Sequence, residues 1–555
     1  MEQKKIHPLI PEAQEMLRKG QITRRDFLRF STLLGMSLAS ARFLAACAPP
    51  PAATEAPAAE ATTPPMPSLT RGGTLTAATR VERVAMPAQF SLVSQSHAWR
   101  HVFEYLTYTD PKGITTPYLL DSWTASDDLL KWTLNVKKGL KFNNGADFNA
   151  DDVLFNFQMW LNPDTGSSLL GAMSYLSPEG VKKVDDFTIA LDFNSPSIFL
   201  PEHLFQYPAA IVPKTFGGDI TLEPIGTGPY TMEEYVPAER CKLKRRTDYW
   251  QMAEDGQPLP YLDELVMVQL GEDRSADLAA LQSGQVDTII EPTVAIWESV
   301  KDDPKYNVVA TPTAATRVLR VRVDQDPWTD NKVRQALKHC HNREKILAVA
   351  LQNQGVIGND SHVAPAHPEY VDIAPFPFDT EKSKALLAES GHADGVTVEL
   401  VVANDWPESM AYAQALKEDA AAGGFTINLK PMPASQYWDG WTEWNMGITW
   451  WAHRPLAPML LPQAYIADDT GTPVAWNETR WVDQEFSDIL KQAEGTLDLA
   501  KRRELVGKLE EIQKDRGSIC TPFFMSVWKI YDKKFHNIEP SPEEYAIFTS
   551  TWKEA

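Results

Sequence analysis

Two stretches of the chain carry a strand–helix–strand pattern, and this pattern constrains the fold more than any other feature. When a helix connects two strands of the same sheet, the two strands run parallel to each other. The chain is therefore expected to have an α/β fold, and two such units far apart along 555 residues indicate two lobes with a cleft between them. The predicted elements are strand 265–270, helix 274–282 and strand 286–290 in the first unit, and strand 396–402, helix 408–422 and strand 425–429 in the second.

The first 69 residues carry export signals rather than a hydrophobic core. Thr23–Arg29 matches the twin-arginine export pattern, and the apolar run at 30–46 is too short and too rich in small residues for a spanning helix. The run ends in a sequence like a bacterial lipobox, so residues 1–46 are predicted to be cleaved and Cys47 to carry lipid. Residues 47–69 are almost wholly Ala, Pro, Thr and Glu, which predicts a flexible tether.

Composition excludes several classes of protein. Hydrophobic residues make up 43% of the chain, so wholesale disorder is excluded. The formal net charge of −21 would repel a polyanion, so nucleic acid is not an expected partner. Four cysteines are too few for a disulfide framework, and the sequence leaves open whether any two of Cys241, Cys340 and Cys520 are bonded.

Catalytic and metal-binding motifs are missing from the sequence. We find no phosphate-binding GxxxxGK[ST], no HExxH, no GxSxG and no CxxC. The densest group of metal-ligand types is His339-Cys340-His341, where Cys340 lies on the apolar face of a predicted helix and its neighbours point to either side. These histidines cannot converge on one ion, so no catalytic residue, metal site or cofactor is predicted.

Tryptophans are the more informative residues. Five of them lie within fourteen residues, and Trp438 and Trp441, at helical spacing, are predicted to pack in the core. Trp450 and Trp451 are adjacent on a predicted strand, so their side chains face opposite sides and one of them is expected at a surface or cleft. His453-Arg454 follows directly and would place a cation beside an aromatic wall.

Seven short motifs then point to a family. In their order and content they are similar to those of the extracytoplasmic solute-binding proteins of the peptide/nickel family of ABC importers, and the resemblance runs from Arg71 to the C-terminus. The motifs are Pro117–Trp123 (PYLLDSW), Gly139–Gly145 (GLKFNNG), Asn149–Val153 (NADDV), Pro224–Tyr230 (PIGTGPY), Asp248–Trp250 (DYW), Leu281–Asp287 (LQSGQVD) and Val333–Leu337 (VRQAL).

The resemblance implies a two-lobed periplasmic-binding-protein fold, type II in its large form, with an extra subdomain and a ligand cleft between the lobes. The receptor would close around its ligand and deliver it to membrane permease subunits of an ABC transporter. It also implies a monomer without catalytic activity that lies outside the cytoplasm, either anchored by its lipid to the outer face of the cytoplasmic membrane or in the periplasm. The expected parts are lobe I at 70–112, 218–312 and 518–555, the extra subdomain at 113–217, and lobe II at 313–517.

One departure from the family pattern concerns the ligand. Peptide-binding members usually carry an aspartate shortly after a Gly-Trp pair in the second lobe, where it binds the peptide's α-ammonium group. Here the stretch is Ile448–Arg454, and His453 stands in place of the acid with Arg454 beside it. A cation suits a carboxylate or another anionic group, which Arg binds through two parallel hydrogen bonds. Alternatively, Arg454 pairs with an internal Asp or Glu, and the sequence leaves both possibilities open.

The resulting hypothesis is that the chain is a receptor that captures a small polar solute outside the cell. The solute would be peptide-like or a related organic molecule, and it would be anionic if Arg454 binds it. Peptide, oligosaccharide, opine-like acid and metal chelate all remain open as ligands. Two alternatives also remain: a secreted metal- or cofactor-dependent enzyme, because twin-arginine export carries folded proteins, and a nickel or metal-chelate receptor using His453. The predicted ligand contacts are Trp450, Trp451, His453, Arg454, Trp476 and Asn477 in the second lobe and Ser94, Gln95 and His97 in the first.

Overall fold

The computed structural model describes residues 69–271, 274–468 and 470–554. The predicted signal peptide at 1–46, the lipidated Cys47 and the tether up to residue 68 lie outside the described residues. Among the helices of the described part, none combines the length and the apolar character that crossing a membrane requires.

The described residues form strands and helices along their whole length. The strands are β1 Thr74–Ala78, β2 Thr107–Thr109, β3 Thr115–Pro117, β4 Leu120–Ala125, β5 Lys131–Val136, β6 Leu176–Asp185, β7 Thr188–Phe193, β8 Tyr230–Val236, β9 Arg240–Arg245, β10 Glu264–Val268, β11 Thr288–Ile289, β12 Tyr306–Val321, β13 Gly355–Ile357, β14 Val396–Ala403, β15 Phe425–Met432, β16 Met446–Trp451, β17 Ile519–Cys520, β18 Phe523–Asp532, β19 Phe535–His536 and β20 Trp552–Lys553. The α-helices are α1 Ala150–Trp160, α2 Leu169–Ala172, α3 Leu200–His203, α4 Asp277–Ser283, α5 Val294–Val300, α6 Asn331–His339, α7 Arg343–Leu351, α8 Thr380–Glu389, α9 Pro407–Ala422, α10 Ala434–Asp439, α11 Leu461–Ala464, α12 Gln484–Glu494 and α13 Leu499–Arg516.

A twelve-stranded sheet of the described chain confirms the α/β prediction. Its path runs β15-β14-β16-β12-β18-β11-β1-β10-β9-β8, with β13 on β18 and β17 on β12. In the second predicted unit, β14 and β15 pair in parallel and α9 connects them, as expected. In the first unit, β10 and β11 are also parallel, but β1 lies between them and pairs with both. That intervening strand comes from about 190 residues earlier, so the local pattern could not reveal it.

Two long strands, β12 and β18, lie in the middle of this sheet, between β15-β14-β16 on one side and β11-β1-β10-β9-β8 on the other. They pair antiparallel from Tyr306 to Pro312, and the register then shifts before pairing resumes at Thr316. Such a bulge bends a strand and redirects the side chains on either side of it. Thr313 and Ala314 lie in this bulge, and both take part in the site described below.

A separate four-stranded antiparallel sheet, β4-β5-β7-β6, packs with α1. The predicted cap of α1 is confirmed: the Asn149 side chain accepts from the Asp151 amide, and the Asp152 carboxylate accepts from the Asn149 amide. Capping of this kind satisfies amides that would otherwise lack a partner at the helix start. The motif at 149–153 therefore has a structural role.

The buried apolar side chains fall into several clusters. One cluster collects residues between Leu75 and Ile290 together with Leu456, Met459 and residues near the C-terminus. Two others collect residues between 318 and 523. Cys241, Cys340 and Cys520 are buried free thiols, which answers the question that the sequence left open. The core position of Cys340 is confirmed, and its neighbours diverge, with His339 Nδ1 facing the Pro377 carbonyl and His341 Nε2 facing the Tyr412 hydroxyl.

Candidate functional site

A cavity of about 1220 Å³ opens where several segments of the chain meet. Its wall includes many residues between 168 and 207, the loop that follows β16, the turn at 474–476 and the C-terminal loop at 542–545. The bulge of β12 contributes Thr313 and Ala315. Ligand sites in proteins are commonly clefts of about 300–1,000 Å³ with mostly apolar walls and a few polar groups, and this cavity is somewhat larger. This cavity is therefore the candidate ligand site.

The last two residues of β16 face opposite sides, as predicted for adjacent strand residues. Trp451 is buried, and its Nε1 donates to Glu478 Oε1 at 2.9 Å. Trp450 is 43% exposed and lines the cavity, with the Arg317 guanidinium 5.9 Å from its ring centroid. Trp476, 49% exposed, lines the same cavity from the turn that follows β16 in the chain. Two of the three predicted tryptophans thus come together at the cavity, and the third lies behind them.

His453 lies in the cavity wall, but both of its ring nitrogens face protein groups. Nδ1 accepts a hydrogen bond from the Ala314 amide at 3.0 Å, which places the remaining ring proton on Nε2. Nε2 lies 3.8 Å from Oε1 of Glu543. Burial acts to raise the pKa of Glu543, but contact with His453 prevails and lowers it. His453 therefore connects the β12 bulge to the C-terminal loop.

Arg454 is the cation that faces the cavity without an acidic partner. Its Nη1 donates to the His453 carbonyl at 3.0 Å. Burial lowers the pKa of Arg454, and Tyr207 opposes this in part. Within the described chain, no carboxylate lies at ion-pairing distance from this guanidinium, so the internal pairing that the sequence left open is not found there. The other guanidinium donors remain available to a ligand.

Glu544 is a cavity residue that sequence reasoning missed. Burial, with a smaller effect from Glu291, raises the pKa of its carboxyl to about 7, while Lys529 and Arg274 oppose the shift. No donor of the described residues hydrogen-bonds to this carboxyl group, whereas the Glu544 carbonyl accepts from Lys529 Nζ. Its φ of 64° is unusual for a residue other than glycine. Nothing in the sequence near 544 indicated that this loop would line the same cavity as Arg454.

The remaining predicted contacts do not line the cavity. Asn477 is buried and donates to the Ile466 and Trp481 carbonyls. Ser94 donates to Glu82, and Gln95 accepts from the amides of its own turn. His97 is buried with Nε2 3.3 Å from Glu291 Oε1, and burial lowers its pKa. Of the segment 93–97, Val93 is the residue that reaches the cavity wall.

The prediction that Trp438 is a core residue is wrong. Its side chain is 36% exposed because α10 is short and ends at Asp439.

In the described part of the chain, no group of three or more His, Cys, Asp or Glu residues is placed to bind a metal ion.

Comparisons with known proteins show which family the chain resembles. The family model described as bacterial extracellular solute-binding proteins, family 5 Middle, matches residues 115–470. Di/tripeptide-binding protein 1 of Pseudomonas aeruginosa is 25% identical over 503 residues, covering 82% of this chain and 89% of that protein. Glutathione-binding protein GsiB of Salmonella choleraesuis is 27% identical over 418 residues, covering 71% of this chain and 77% of that protein.

Among solved structures, HbpA2 from Haemophilus parasuis has a TM-score of 0.77 at 22% identity, covering 87% of this chain and all of that chain. This likeness confirms the predicted periplasmic-binding-protein fold. The family match spans well over half of the sequence and includes the strand that carries Trp450 as well as Arg454. The chain therefore belongs to the bacterial extracellular solute-binding proteins of family 5.

Proposed function

We propose that this chain is the receptor of an ABC importer that captures a small peptide-like solute outside the cell and delivers it to a membrane permease. The observation that carries the proposal is the Arg454 guanidinium, which lines a cavity of about 1220 Å³ and has no carboxylate partner in the described part of the chain. A partly buried cation without a partner is costly, and a ligand carboxylate would supply the missing charge.

The opposite charge is also present in the cavity. Glu544 presents a carboxyl group without a hydrogen-bond donor among the described residues, and an ammonium group of the ligand would suit it. A solute with both a carboxylate and an ammonium group would therefore satisfy Arg454 and Glu544 together. The relatives named for di/tripeptides and for glutathione support a ligand of this kind.

Export and anchoring form part of the same proposal. The twin-arginine signal and the lipobox-like sequence would place Cys47 at the outer face of the cytoplasmic membrane with a lipid attached. The tether would then hold a monomeric receptor near its permease. Labelling with a radioactive fatty acid would test this: we expect incorporation that Cys47→Ser abolishes, and incorporation that persists in Cys47→Ser would contradict the anchor.

The ligand hypothesis is tested by native mass spectrometry of the purified protein before and after unfolding and refolding. We expect a co-purified organic mass that leaves on unfolding, and calorimetry should show that Arg454→Ala binds this compound at least tenfold more weakly. Arg83→Ala, an exposed arginine outside the cavity wall, is the matched control. Unchanged binding by Arg454→Ala would refute the role of Arg454, and a tightly held metal without an organic ligand would favour the metal-chelate or enzyme alternative.

A further inference from the structure

Two exposed tryptophans share the cavity with Arg454, and their surroundings bear on the chemistry of the solute. Trp450 and Trp476 are 43% and 49% exposed, although large aromatic side chains are ordinarily mostly buried. Neither indole nitrogen takes part in a hydrogen bond within the described chain. Exposed aromatic groups inside a ligand cavity commonly provide contact area for a ligand. We call Trp450 and Trp476 the indole pair.

Trp476, one member of the indole pair, rests on a rigid support. Trp476 lies 6.1 Å from Trp451 between ring centroids, and Trp451 is fixed by its hydrogen bond to Glu478. Glu478 Oε2 in turn accepts from Thr449 Oγ1 at 2.5 Å and from Arg320 Nε at 3.1 Å. All these groups are buried. A surface held in this way loses little conformational entropy when a ligand binds.

The cavity wall that contains the indole pair has an apolar part. Met459, Pro462, Val474 and Ala475 line the cavity, and Val474 and Ala475 directly precede Trp476 in the chain, while Gln463 is a polar member of the same wall. A sugar ring on a tryptophan needs hydrogen-bonding groups around its edge for its hydroxyls, and the four apolar side chains offer none. An aromatic or other flat apolar group has no hydrogen bonds to lose, so its burial against these side chains is favourable.

We propose that the indole pair stacks a flat aromatic group of the solute, so that the ligand is an aromatic organic acid with its carboxylate on Arg454. This rests on the proposed function, because it assumes that Arg454 binds the solute's carboxylate. It goes further than the proposed function because it specifies that the solute carries an aromatic ring, which disfavours a sugar. Aromatic contacts of this kind strengthen binding beyond the effect of the area that they bury.

The test compares matched probes by calorimetry: the dipeptide Ala-Phe, the dipeptide Ala-Ala and the sugar acid glucuronate. We expect Ala-Phe to bind at least tenfold more tightly than Ala-Ala. The double variant Trp450→Leu/Trp476→Leu should lose this preference. Trp450→Phe/Trp476→Phe, which keeps aromatic rings, should restore most of the preference.

The matched control is Trp438→Leu, because Trp438 is 36% exposed in the same tryptophan-rich region but does not line the cavity. It should keep the preference for Ala-Phe. Equal binding of the two dipeptides, tighter binding of glucuronate than of Ala-Phe, or binding of no probe would each overturn the aromatic assignment. The proposed function would then be judged separately by the compound that co-purifies with the protein and by its dependence on Arg454.

Discussion

Strand β16 has two ends, and the two arginines beside them behave differently. At the buried end, Arg320 is fully enclosed and its guanidinium donates to Glu478 and to the carbonyls of Trp441 and Trp444. At the open end, Arg454 donates to the preceding carbonyl and otherwise faces a cavity. The same side-chain chemistry therefore holds the fold together at one end of the strand and remains available to a ligand at the other.

The backbone beside Arg320 is as closely fitted as the side chain. A Cβ at Gly447 would lie 2.7 Å from the Tyr437 hydroxyl and 2.9 Å from Arg320 Nη2, so a glycine is needed for this close approach. The difference between the two ends teaches that a buried charge with a protein partner has a structural role. A charge without a protein partner indicates that a ligand supplies the partner.

The largest expected effect concerns the buried end. Arg320→Met would leave the Glu478 carboxylate buried without its cation, and we expect the free energy of unfolding to fall by about 3–5 kcal/mol. Chemical denaturation followed by circular dichroism measures this change. A loss below about 1 kcal/mol would show that the Arg320–Glu478 pair does not have the structural role that its burial indicates.

A second comparison uses the adjacent tryptophans of β16. Trp451→Phe removes the hydrogen bond to Glu478 and should lower the free energy of unfolding by about 1–3 kcal/mol, because a buried acceptor loses one donor. Trp450→Phe alters an exposed side chain and should change it by less than about 0.5 kcal/mol. Equal effects of the two substitutions, measured by the same denaturation experiment, would contradict the opposite orientation of these side chains.

A smaller effect is expected from pH at the cavity. The Glu544 carboxyl has a pKa of about 7, raised by burial and Glu291 against the opposing effect of Lys529 and Arg274. Below that pH the carboxyl is neutral and cannot attract an ammonium group. Affinity for Ala-Ala should therefore fall by about tenfold between pH 7.5 and 5.5. Calorimetry of Glu544→Gln at both pH values is the control, and an equally steep pH dependence in that variant would exclude Glu544 as its cause.

The smallest effect concerns the stability of the open end. Arg454→Met removes a half-buried cation that has no carboxylate partner in the described chain, so the free energy of unfolding should change by less than about 1 kcal/mol. The measurement is thermal and chemical unfolding without ligand. A destabilisation as large as that of Arg320→Met would show that Arg454 is structural and that the two ends of β16 do not differ.

Local patterns in the sequence predicted most of the elements but not their partners. The capped helix after Asn149 and the opposite orientation of Trp450 and Trp451 follow from interactions between residues close in the chain. The position of β1 between β10 and β11 depends on segments about 190 residues apart, and no local periodicity encodes that pairing. For the same reason the exposure of Trp438 was wrongly predicted, since it depends on where a short helix lies.

The sequence by itself determined that this chain is an α/β protein of a solute-binding family, and that a histidine and an arginine follow the tryptophan pair of β16. Tertiary structure alone decided which side chains meet. It turned His453 toward Ala314 and Glu543, left Arg454 facing the cavity and brought Glu544 to the same wall from the C-terminal loop. The physical reason is that charges and hydrogen bonds are satisfied by whichever groups are near in space, and the folded chain decides this.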